Sequence, residues 1–215
     1  MSRAVLLGRR ALVVAGAFGA GCLPSARLAS RLFGGPTITS LGDGNPGASN
    51  VRKAYGLPAA LLVAGMDVFK GWFPVYLARR FRADANVAGA VYVAPVLAHI
   101  AVVGGKGAAA ALGACHGWDP PAMMLVEAGL IWGTAKGYHA PAVAAALVGL
   151  PSIQWLLGRS PRTIAWTLVC TSLLVWGRLR GSHRGRQALS PRVLRERLLW
   201  DREAAGLRKE EGLCG

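Results

Sequence analysis

Residues 57–77 read LPAALLVAGMDVFKGWFPVYL, a run whose only acid is Asp67 and whose only base is Lys70. A helix needs about 20 mostly apolar residues to cross a bilayer core, so this run reads as a membrane span. Comparable apolar stretches lie before it at 11–23 and after it at 87–103, 107–118, 121–135, 140–157 and 163–177. The stretch 107–118 is short, rich in Gly and Ala, and starts inside a glycine motif; counting it gives seven spans and omitting it gives six. The expectation is an all-α, polytopic membrane bundle of about seven transmembrane helices.

Composition supports this class. The 215 residues are 53% hydrophobic and 16% charged, whereas soluble domains carry about 25% charged residues. Disordered, collagen-like and disulfide-scaffold chains are excluded on the same grounds. Cys22, Cys115, Cys170 and Cys214 form no CxxC pair and no zinc spacing, so neither a metal nor a redox site is expected. The segment 25–56 is rich in Gly, Ser, Asn and Pro. It is expected as a loop folded against the membrane face. A retained first helix ending near Pro24 is preferred over a cleaved signal, because Gly19 stands where a cleavage site wants a larger apolar residue.

Charge is lopsided, with 25 Lys and Arg against 10 Asp and Glu, a net of +15. Ten of the bases follow Gly177. A basic tail after an apolar segment reads as a cytoplasmic anchor at anionic headgroups. No nucleic-acid recognition motif accompanies it, and no nucleic-acid partner is expected. The division expected is a membrane domain at 1–177 and a basic tail at 178–215. The alternation from Val193 to Trp200 suits an amphipathic helix on the membrane, a solvated helix or a disordered tail. Seven spans place the tail, segment 25–56 and Lys106 in the cytoplasm but leave Arg79, Arg80 and Arg82 outside. Six spans, with the tail still inside, bring those three arginines inside but push segment 25–56 out, so charge alone leaves orientation open.

Two glycine motifs carry the densest chemistry. In Gly42-Asp43-Gly44-Asn45-Pro46-Gly47-Ala48-Ser49-Asn50-Val51-Arg52, three glycines permit tight turns with N–H groups close to a ligand. Asn45, Ser49 and Asn50 offer hydrogen bonds, and Arg52 offers a planar cation suited to phosphate. The motif reads as an anion cradle or as a long turn between helices. Gly104-Gly105-Lys106-Gly107 is not a Walker A loop, since its glycine spacing differs and no Ser or Thr follows the Lys. It sets an ammonium group at a helix start, where anions are favoured, or a Lys snorkelling to headgroups. Asp67 and Lys70, three apart, can pair. His99 is a packing residue or a functional one. Glu127 and His139 have no evident partner.

With these motifs, the chain resembles the acyl-phosphate-dependent glycerol-3-phosphate acyltransferases of bacterial membranes, the PlsY type. Leu41 to Arg52 is similar to that family's GSGNxGATNxxR, and residues 21–28 to its GSIPxxxL. Asp67-Val68-Phe69-Lys70-Gly71 matches DxxKG, and His99 with Gly104–Gly113 resembles GHxxxxxxxFKGGKGVATxLG with a shorter gap. His183-Arg184 is what remains of HRxNIxRLxxGxE. The resemblance implies seven spans, an active site on the cytoplasmic face and residence in the bacterial plasma membrane. It also implies acyl transfer from acyl phosphate to the 1-hydroxyl of glycerol 3-phosphate, giving lysophosphatidic acid, with no cofactor and no metal. The implied catalytic residues are His99 and Lys106; Asp43, which stands where the family has Ser, is a further catalytic candidate as a base for the hydroxyl, a role a well-placed carboxylate can take. The implied substrate-binding residues are Gly44, Asn45, Gly47, Ser49, Asn50, Arg52, Gly105, Gly107, His183 and Arg184. The chain departs from the family at Asp43 (Ser in the motif), Ser49 (Thr), Ala98 (Gly) and Arg186 (Asn). These changes keep open a second reading, a diverged membrane protein that binds phosphorylated lipids or metabolites without transferring an acyl group.

Overall fold

Apolar runs with few internal breakers dictate helices, and helices are what form. A computed structural model describes residues 2–181 and 190–200. In chain order it contains α1 (Arg3–Gly21), α2 (Ser25–Leu32), a single 3-10 turn (Ile38–Ser40), α3 (Ala48–Arg80) and α4 (Ala85–Ala98). A wide π-helical turn (His99–Val103) extends α4, and α5 (Ala108–Trp118), α6 (Pro120–Ala135), α7 (His139–Leu156), α8 (Pro161–Arg180) and α9 (Pro191–Trp200) follow. No strand occurs among the described residues, so the expected all-α membrane bundle is the architecture found. Three helical stretches, Arg3–Gly21, Ala48–Arg80 and Ala85–Val103, are each long and apolar enough to cross a membrane. With 11 residues, α5 rises only about 17 Å against a hydrocarbon core of about 30 Å. Helix length therefore does not fix the count at seven.

Small residues set how the helices pack. A Cβ on Gly71 would run into the carbonyl oxygen of Ala110, and one on Gly113 into that of Val68. Farther along, Gly117 lies against Val75 and its carbonyl accepts from Arg79, so α3 and α5 run side by side and parallel with their backbones touching, as membrane helices do where small residues line the contact. Gly21 meets Pro95 and Ala98 in the same way, and Arg10 approaches Asp84 at 3.8 Å, so α1 and α4 also run parallel. Asp84 caps α4. Its Oδ1 accepts the Asn86 N–H at 3.0 Å, which holds the carboxyl below its ordinary pKa.

The two ends of the bundle are tied by different chemistry. At one end, Asp119 before α6 is gripped by Arg159 after α7, Nε to Oδ2 at 2.9 Å and Nη2 to Oδ1 at 2.9 Å. Gln154 adds a bond to Oδ2 at 3.3 Å, and Arg79 donates to the carbonyls of Gly117 and Trp118. At the other end, Arg180 donates to the Ile100 carbonyl at 2.9 Å. There α9 lies against α7 and α8, with Arg197 buried and donating to the Leu179 carbonyl at 3.0 Å.

Three expectations change. Segment 25–56 is not one loop: α2 and the first turns of α3 are helical. The small residues Ser25, Ala26, Ala29 and Ser30 give α2 a buried face, while Gly56 (φ 82°, ψ −176°) breaks α3 and lets a helical segment precede the span. Glu127 does have a partner, His116 Nε2 at 2.8 Å, and His139 Nδ1 meets the Thr134 hydroxyl at 2.9 Å. Both pairings join neighbouring helices or a tight turn, which spacing along one helix does not reveal.

Candidate active site

The first glycine motif folds onto itself before α3 begins. Gly42 (φ 53°) and Gly44 (φ 74°) occupy the left-handed region, where a side chain is costly. Asp43 Oδ1 accepts the N–H of Asn45 at 3.0 Å, and the Gly44 N–H reaches the Leu41 carbonyl at 2.9 Å. Asn50, buried in the first turn of α3, donates from Nδ2 to the carbonyls of Leu41 at 3.0 Å, Asn45 at 3.2 Å and Ile38 at 3.3 Å. Its amide nitrogen is thus occupied in shaping the turn. A Cβ on Gly42 would collide with Asn50 Oδ1, so these two positions are sterically coupled.

Past this turn the charges face outward. Gly47 caps α3 with extended backbone and no side-chain cap, and the first turn contains no acid. A helix N-terminus favours negative charge, yet this one has none of its own. Ser49 and Arg52 are exposed, and Arg52 makes no hydrogen bond or ion pair with the described residues. Val51 of this segment is buried with Ala26, Ala29, Ile38, Ala59 and Val63, which locks the turn against α2 and the body of α3.

The second motif is clasped from two sides. Gly104 (φ 83°) and Gly107 (φ 82°) are left-handed and flank Gly105 and Lys106. The N–H groups of Gly104 and Gly105 turn back to the His99 carbonyl at 3.1 and 3.3 Å. A Cβ on Gly105 would strike His99 Nε2, and one on Gly177 of α8 would come within 2.8 Å of the Lys106 carbonyl. Lys106 is half-buried, whereas His99 is only 4% exposed. His99 therefore sits behind the Lys106 loop, against the Gly105 backbone.

A buried polar node links the start of α2 to His99, behind the second motif. Asp67 Oδ1 receives Lys70 Nζ at 2.8 Å, with both side chains at most 2% exposed. The Ser25 hydroxyl at the start of α2 donates to the same oxygen. Lys70 also donates to the Leu23 carbonyl at 3.0 Å, and His99 Nδ1 stands 3.9 Å from Asp67 Oδ1. Charges at membrane depth persist when paired, and here the pair holds α2 on one side and the His99–Gly105 contact on the other. The Asp67–Lys70 pairing expected from spacing is present. Nothing in the sequence around Ser25 signals this role, because its partner lies 42 positions away.

The structure thus gathers Asp43, Gly44, Asn45, Gly47, Ser49, Asn50 and Arg52 on one turn and His99, Gly105, Lys106 and Gly107 on another. Both turns are anchored to α3. His183, Arg184 and the altered Arg186, and likewise Cys214, lie outside the described residues.

Comparison with known proteins agrees with the motifs. The glycerol-3-phosphate acyltransferase family matches residues 11–185. A glycerol-3-phosphate acyltransferase of Methylobacillus flagellatus is 34% identical over 173 residues, covering 77% of this chain and 88% of that protein. One of Photobacterium profundum is 35% identical over 153 residues, covering 68% and 75%. The crystal structure of PlsY, an integral membrane glycerol 3-phosphate acyltransferase, in its glycerol 3-phosphate form superposes with a TM-score of 0.75 at 25% identity. It covers 96% of this chain and 100% of the other. The lysophosphatidic acid form of PlsY gives 0.69 at 26% identity, covering 79% and 87%.

Proposed function

Because this chain belongs to the glycerol-3-phosphate acyltransferase family, we propose that it moves a fatty acyl group from acyl phosphate to the 1-hydroxyl of glycerol 3-phosphate. The products are lysophosphatidic acid and phosphate, a step of phospholipid synthesis. In this reading the chain sits in the bacterial plasma membrane, with both glycine motifs and the basic tail on the cytoplasmic side. The observation that carries the reading is Arg52, exposed and without a partner among the described residues, beside a helix N-terminus that lacks an acid. Such a place suits the phosphate of a soluble acceptor. The glycerol 3-phosphate and lysophosphatidic acid forms of PlsY supply an acceptor and product of the same chemistry.

The step balances without a cofactor. The acceptor oxygen bonds to the acyl carbon, the carbon–oxygen bond to phosphate breaks, and the hydroxyl proton leaves. The mixed anhydride is already activated, so positioning supplies much of the acceleration. Lys106 stabilises the charge that develops on the carbonyl oxygen and the leaving phosphate. Asp43, half-buried on the first motif, takes the proton. The burial of His99 favours a positioning role, holding the Lys106 loop from behind.

Arg52→Gln tests the acceptor site. Loss of one charged hydrogen bond, about 1.5–3 kcal/mol, should raise KM for glycerol 3-phosphate roughly ten- to hundredfold with the acyl phosphate KM little changed. Equal KM values in the variant and the parent would remove Arg52 from the site.

A further inference from the structure

Apart from both glycine motifs, a cavity of about 330 Å³ opens beside α2, lined by Arg27, Ser30, Arg31, Gly35 and Thr37. Arg27 and Arg31 are four apart and so neighbours on one helix face. Both are exposed, and neither guanidinium makes a hydrogen bond or ion pair with the described residues. Two like charges held side by side repel, and an anion between them relieves the repulsion. The pair is also pre-positioned. The opposite face of α2 is buried, and Ser25 at its start is pinned to Asp67. The far wall is fixed too, since the Tyr55 hydroxyl donates to the Pro36 carbonyl and Gly35 packs against the Tyr55 ring.

The surroundings say which anion. Leu32 and Phe33, next in the chain, are 73% and 45% exposed. An interfacial helix places such side chains in the acyl layer and its arginines at headgroup depth. Guanidinium forks match phosphate oxygens, and the cavity is of headgroup size. We propose that this cavity binds the phosphate of an anionic lipid headgroup, at a site separate from the one that carries out acyl transfer.

The test is binding of dioctanoyl phosphatidate to the full-length protein in a non-ionic detergent, by calorimetry. Dioctanoyl phosphatidylcholine and inorganic phosphate are the comparison ligands. The parent protein should bind phosphatidate well above phosphatidylcholine. The double variant Arg27→Gln, Arg31→Gln should bind it at least tenfold more weakly, with unchanged helicity and unliganded unfolding temperature, since both side chains are exposed. Each single variant should lose part of the affinity. Arg52→Gln, in the first glycine motif, should retain it. Inorganic phosphate binding as tightly as phosphatidate, and lost in the same double variant, would keep the phosphate site but overturn the lipid as its source. Unchanged phosphatidate affinity in the double variant, or loss in Arg52→Gln alone, would overturn the site itself. None of these readouts depends on turnover, so failure here and failure of the acyl-transfer reading are separable.

Discussion

Asp67→Ala is expected to destabilise the protein by about 3–5 kcal/mol, the cost of leaving one member of a buried ion pair behind. Lys70 would keep only the Leu23 carbonyl at 3.0 Å and the Ser25 hydroxyl at 3.4 Å, with its ammonium still 1% exposed. Ser25 would lose its acceptor, and α2 its polar tie to α3. Because His99 and the Gly105 backbone pack next to this node, the Lys106 loop should loosen together with α2. Thermal unfolding in detergent reads the loss of stability. Adding Lys70→Met removes the stranded charge and should recover most of it, since a well-packed apolar pair often equals a buried ionic one. A single variant as stable as the parent would mean that the node is not a structural tie.

Gly113→Ala is the second large effect. The added methyl would meet the Val68 carbonyl and the Trp72 backbone nitrogen, neither of which can rotate away. The contact between α3 and α5 must open, and overpacking of this kind costs about 1–3 kcal/mol or more. The consequence for activity is larger than that figure suggests, because α5 begins directly after Gly107 and carries the Lys106 loop. Turnover should fall well beyond the loss of folded protein. Gly129→Ala on α6, where a methyl would meet nothing within 4 Å, is the matched control and should leave stability and turnover as they are. Equal behaviour of the two variants would contradict close packing of α3 on α5.

The helices were legible because sustained apolar runs leave few alternatives. The stretch read as 107–118 forms Ala108–Trp118, and that read as 121–135 forms Pro120–Ala135. The α2 helix is not legible in the sequence because its buried face is built of Ser and Ala, and its two arginines resemble loop charges. Asp67 and Lys70 could be paired from spacing because both lie on one helix, three residues apart. Their third partner, Ser25, and the Asp119–Arg159 grip depend on how separate helices pack, which periodicity does not encode. Asn50 illustrates the same gap on a smaller scale. Its amide suggested a ligand contact, whereas its nitrogen is taken up by three carbonyls of the turn before it. The direction of the Arg27–Arg31 pair became visible only once α2 had a buried face.

The central claim is acyl transfer at the end of the bundle that carries both glycine motifs. The most direct measurement adds palmitoyl phosphate and labelled glycerol 3-phosphate to the purified full-length protein, beside Lys106→Ala. Lysophosphatidic acid formed by the parent, and reduced to background in a folded Lys106→Ala variant, is the expected result. No product from a folded parent protein that binds glycerol 3-phosphate, or parental turnover in Lys106→Ala, would contradict the account.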